Sequence, residues 1–96
     1  MNTIQIFPYT GKFAENKDLA KKLRMENLMP NLDKGHKIII DFTNVEAATQ
    51  SFIHALISDS IRKFGIGVLD KIDFKNCNEK VKVIIEIVVD YMQQSL

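Results

Sequence analysis

The run Ile38-Ile39-Ile40-Asp41-Phe42 constrains the rest of the chain more than any other feature. Three consecutive isoleucines are stiff at χ1 and suit a pleated backbone better than a helix. Gly35 punctuates the chain ahead of them and a short loop follows, so residues 37–42 read as a strand. The apolar side chains do not alternate with polar ones, which is the pattern of a strand covered on both faces in a parallel sheet. A chain of 96 residues has room for one such core. A domain this small buries only roughly 60–68% of the surface its unfolded form exposes. The remaining apolar segments must therefore pack around this strand, in a single domain over residues 1–96.

Those segments alternate between strand and helix signals. Ile4, Ile6 and Phe7 suggest a first short strand stopped by Pro8 and Gly11, with a brief extended piece at Lys12-Phe13 pairing back onto it. Asn16 can cap a helix whose stripe runs through Leu19, Ala20, Leu23 and Leu28, and Pro30 is expected to end it. The clearest helix carries Phe52, Ile53, Leu56, Ile57, Ile61 and Phe64 on one side. His54, Ser58, Asp59, Arg62 and Lys63 fall on the other, and Gly65 and Gly67 close it. A last strand is expected near Leu69 to Phe74. From Val81 onward the β-branched residues alternate as in a strand, yet Lys82, Glu86 and Asp90 recur every four positions. Length decides for a helix over 81–93, capped by Asn78, because a strand so long would be unusual. The expected fold is α/β, with β-α-β-α-β-α order, right-handed crossovers, and helices packed on a small, single, mostly parallel sheet.

Charge and composition exclude several classes of function. With 13 basic and 12 acidic side chains the formal net charge is +1, no footprint for nucleic acid or an anionic membrane. The longest mostly apolar segment, Val81 to Met92, is cut by three charges and cannot span a bilayer. Neither a basic stretch nor a long apolar one follows Met1, and Cys77 stands alone, so a reducing, cytoplasmic setting is expected. Cys77 reads as a small buried hydrophobe. Ser51 and His54 lie three apart on one helix, but an orienting acid and an oxyanion site are missing from the pattern, so no catalytic residue is assigned. Cys77, His36 and His54 are not at metal-ligand spacing, and Gly65-Ile66-Gly67 is a helix stop with a turn, so neither a metal nor a cofactor is expected. Lys21, Lys22 and Arg24, with Asp18 and Glu26 on either side, read as a solvated helix face.

In parallel α/β sheets the functional edge lies where strand ends meet helix starts. Here that edge is the stretch from Asp41 to Phe52. Asp41 ends the central strand, where its carboxylate can accept N–H bonds from the following loop. Thr49, Gln50 and Ser51 sit at a helix mouth, where free N–H groups and the dipole favour oxygen atoms; Thr49 and Ser51 are the candidate caps.

The stretch IIIDFTNVEAATQSFIHALI resembles the core of the STAS-like proteins, relatives of the anti-sigma factor antagonists. Asp41, Val45 and Ser51 match an apolar strand ending in Asp, a Val, and a loop closing on a helix-start Ser. The likeness continues through Lys71-Ile72-Asp73-Phe74 and Asn76. It implies a non-catalytic regulatory module that docks on an ATP-binding, kinase-like or anti-sigma-like protein and is switched when the Ser is phosphorylated. It also implies a bacterial, cytoplasmic protein. Where the antagonists carry an acid before the Ser pair and a Gly after it, this chain has Thr49 and Phe52, and Gln50 replaces the first Ser. Docking therefore ranks above phosphorylation of Ser51. The expected interface is Ala47, Ala48, Thr49, Gln50, Ser51 and His54, with Asp41 and Val45 supporting it. The alternatives are a sensor of a small ligand or nucleotide in the strand-end crevice and a purely structural, dimerising domain. A monomer or weak homodimer is expected.

Overall fold

A computed structural model describes residues 2–95. Strands β1 (Asn2–Gln5), β3 (Ile38–Asp41) and β5 (Ile72–Lys75) are all parallel and lie in the order β1-β3-β5. Ile40 is in register with Ile4 on one side and Phe74 on the other, and Ile38 with Ile72. These side chains share the face that meets the core. Helices α2 (Lys17–Leu23), α4 (Gln50–Phe64) and α5 (Glu79–Ser95) complete the β-α-β-α-β-α order that the sequence predicts. Among the described residues no helix is long and apolar enough to cross a membrane.

The isoleucine strand is not covered on both faces. α2 packs on α4 and α4 on α5, so the helices form one layer on one side. On the other side Ile39 is half-buried between exposed Thr3 and Asp73. On α4 the expected solvated side is partly covered by the flanking helices: Ser58 is buried and His54 and Asp59 are half-buried, while Arg62 and Lys63 are exposed. Phe64, expected on the apolar side, is exposed at the end of the helix, and Ser60 is buried, its hydroxyl donating to the Ile57 carbonyl at 2.6 Å.

Local chemistry moves several boundaries. Phe7 belongs to a helical turn, α1 (Phe7–Thr10), because Pro8 fits a first turn whose N–H groups have no intrahelical acceptor. The extended piece β2 (Phe13–Ala14) does not return to β1. It pairs in parallel with β4 (Ala47–Ala48), forming a second sheet of two strands. Asn16 does cap α2, accepting from the N–H groups of Asp18 and Leu19. Pro30 does not end that helix. The chain widens into a π turn over Arg24–Leu28, where the Met29 N–H reaches back to the Arg24 carbonyl, and continues as α3 (Met29–Asp33). A widened turn relieves the missing N–H and the ring clash that would otherwise stop the helix. The last strand begins at Ile72, because residues from Ile66 to Lys71 form a 3-10 helix after Gly65, whose φ of 85° ends α4.

The C-terminal segment is helical. Val81, Ile85, Val88 and Met92 are buried along one stripe and Ile84 is half-buried. Asn78 precedes the helix, and its Oδ1 accepts the Val81 N–H at 2.9 Å.

Candidate functional site

Asp41 organises the end of the central strand. Its Oδ1 accepts the Thr43 N–H at 2.9 Å, the Thr43 hydroxyl at 2.6 Å and the Asn76 side-chain amide at 3.0 Å. One oxygen thus joins the loop after β3 to the loop after β5. Asn44 and Asn76 occupy left-handed backbone positions in these loops, with φ of 69° and 58°, a conformation that Asn tolerates better than most residues. The Thr43 hydroxyl, the Asn76 amide and the Thr43 N–H hold the Asp41 carboxyl below its ordinary value of 3.8. A carboxylate with a depressed folded-state pKa stabilises the fold above the unfolded value and loses that contribution as pH falls through the folded one. Asp41→Ala should therefore unfold more easily than the wild type at neutral pH, and urea melts should show the gap narrowing below about pH 4. A gap that is constant down to low pH would assign Asp41 no ionic role.

The loop then enters β4 and α4. Val45 is buried, and Ala47 and Ala48 are half-buried in the pair with β2. The Glu46 and Ala47 N–H groups donate to the Lys12 carbonyl, and the Thr49 N–H to that of Ala14. Asn78 donates to the Glu46 carbonyl at 2.8 Å, so the residue that caps α5 also grips this loop. The N-cap of α4 is Thr49, whose hydroxyl accepts the Phe52 N–H at 3.1 Å. Gln50 and Ser51 form the first turn and are exposed, while Phe52 beside them is completely buried.

Gln50, Ser51 and His54 line one wall of a cleft of about 660 Å³ enclosed by α2, α4 and α5. Ser51 and His54 face the same space, but among the described residues no hydrogen bond joins them. His54 instead meets the Tyr91 ring at 6.1 Å between centroids. Smaller hollows of about 190 and 470 Å³ lie at the strand ends, lined in part by Asp41 and Asn44 and by Val45 and Asn76. The expected interface is therefore split: Gln50, Ser51 and His54 open into the larger cleft, while Ala47 and Ala48, paired with β2, lie outside its lining.

The sequence reading did not connect Lys17, Lys21 and Arg24 with Ser51, although all four line that cleft. The signal was present. Lys17, Lys21 and Arg24 are spaced as one helical stripe, and Ser51, Ala55 and Ser58 form a matching stripe of small residues. Small side chains on the middle helix leave the space that the flanking helices enclose. Cys77 is half-buried rather than buried, and burial pushes its thiol up. Among the described residues no group of three or more His, Cys, Asp or Glu side chains is placed to hold a metal.

One protein family, described as a STAS-like domain of unknown function, matches residues 20–82. No curated protein and no solved structure matches the chain.

Proposed function

The chain belongs to the STAS-like domain family, and on that premise we propose that it is a non-catalytic regulatory module that docks on a protein partner through residues 47–54. The observation that carries this reading is an exposed helix start held from three directions. β2 pairs with β4, Thr49 caps α4, and Asn78 grips the preceding loop from α5. A surface ordered before the encounter loses less entropy on binding. The likeness to the anti-sigma factor antagonists supports an ATP-binding, kinase-like or anti-sigma-like partner, and a switch by phosphorylation of Ser51. The same likeness supports a bacterial, cytoplasmic setting. The Phe52 N–H is taken up by the Thr49 hydroxyl, but those of exposed Gln50 and Ser51 begin the helix without intrahelical acceptors and exchange with solvent readily unless a partner covers them. Amide exchange on the complex with a partner recovered from the native cell should slow most over residues 47–54. Protection confined to the open face of the main sheet, around Thr3, Ile39 and Asp73, would refute the assignment.

The cleft favours a second reading, a sensor for a small ligand or nucleotide. Its volume of about 660 Å³ falls within the range of known ligand sites, and it replaces the strand-end crevice as the place for such a molecule. A small molecule released from the denatured, purified protein would support this reading.

A further inference from the structure

We infer that the cleft between α2, α4 and α5 receives an acidic, amphipathic segment of the protein partner. The inference rests on the docking reading above and adds the chemistry of what docks. Lys17, Lys21, Arg24 and Arg62 line the cleft, opposed by a single carboxylate, Asp59. Both arginines already contact Asp59, Arg24 at 3.3 Å and Arg62 at 3.2 Å, and Arg24 also donates to the Ala55 carbonyl at 3.0 Å. Lys17 and Lys21 have no acidic partner within ion-pair distance among the described residues. The cleft therefore carries uncompensated positive charge that a partner's carboxylates would meet.

The opposite wall has different chemistry. On α5, Ile87 is 41% exposed, and Tyr91, whose ring meets that of His54 at 6.1 Å, is 57% exposed; four residues apart, the two share one face of the helix. Between the walls, Ser51, Ala55 and Ser58 let another backbone approach α4 closely. A basic wall facing an apolar one selects a segment with carboxylates on one side and apolar residues on the other. The cations do not converge on one point. Lys17 to Arg24 is seven residues, about 10 Å of helix, which suits a row of carboxylates better than a single phosphate. Ser51 opens into the same space, so a negative charge on it would occupy these lysines and repel the acidic segment.

The test uses the full chain and three helical peptides of about 15 residues, near the length where isolated helices become stable. Each carries leucines on one face, with Glu, Gln or Lys on the other. By fluorescence anisotropy at low salt, the Glu peptide should bind at least about tenfold tighter than the Gln peptide, with an advantage that shrinks as salt screens the charges. The double variant Lys17→Glu/Lys21→Glu alters only exposed side chains, and it should transfer the preference to the Lys peptide. Equal binding of the Glu and Gln peptides, or an unchanged preference in the double variant, would overturn the inference. So would pyrophosphate binding in the absence of Glu-peptide binding, which would make the cleft a small-anion site. The peptides come from no cell extract, so a null result here strikes the acidic segment alone. Docking at residues 47–54 stands or falls separately, on the amide-exchange footprint.

Discussion

Phe52→Ala is expected to cost about 3–5 kcal/mol of folding stability. Phe52 is among the largest completely buried side chains and sits two residues inside α4. Its removal loses the transfer free energy of a whole ring and leaves a cavity in a core that has few alternatives for repacking. A domain of this size is stable by only about 5–15 kcal/mol in total, so the melting temperature should fall by more than about 10 °C. The comparison that gives the experiment its meaning is the adjacent residue. Ser51→Ala, at an exposed position, should stay within about 0.5 kcal/mol of the wild type. Urea or thermal melts of the two variants should therefore differ sharply across one peptide bond. A Phe52→Ala variant that lost less than about 1 kcal/mol would contradict its burial. The position also gives the departure from the antagonist pattern a physical reason. Where those proteins carry Gly, this chain places an aromatic anchor that fixes the first turn of α4 to the core.

The fold was legible wherever a periodicity was long enough to decide between helix and strand. The stripe from Phe52 to Ile61 and the one from Val81 to Met92 each specify a buried helical face, and each forms one. Failures came where single residues stood for whole geometries. Pro30 signals a helix end only if the turn ahead of it keeps α geometry, and a π turn removes that condition. The run Ile38–Ile40 implies two covered faces, but coverage depends on where the crossovers return, and here their helices lie together on one side. The pairing of Phe13–Ala14 with Ala47–Ala48 joins two-residue strands far apart in sequence, too short for any pattern to announce. At the candidate site the strand end and the helix start were readable from Asp41 and Thr49, since caps and Asx turns are local chemistry. The cleft was not. It arises from small residues on one helix facing cations on a second and exposed apolar side chains on a third, a juxtaposition that only the packed helices create.

Ser51→Asp is expected to separate folding from binding. Ser51 is the second residue of α4 and exposed, so a carboxylate there meets the positive end of the helix dipole. Lys17 and Lys21 line the same cleft and add favourable charge. The acids near it in sequence are otherwise engaged: Glu46 with Lys12 at 3.9 Å, Asp59 with Arg24 at 3.3 Å and Arg62 at 3.2 Å, and Asp41 with Thr43 and Asn76. The folded domain should therefore gain about 0.3–1 kcal/mol or remain unchanged, with a melting temperature within a few degrees of the wild type. A partner that covers the helix start meets the opposite balance. It must desolvate the new carboxylate, and an acidic docking segment would be repelled by it, a penalty of several kcal/mol. The deciding measurement is the Kd of wild type, Ser51→Ala and Ser51→Asp for the partner recovered from the native cell. Ser51→Ala should stay within about threefold of the wild type, and Ser51→Asp should bind at least about thirtyfold more weakly, equivalent to about 2 kcal/mol. Equal affinity of the wild type and a correctly folded Ser51→Asp would place the start of α4 outside the interface and contradict the docking site.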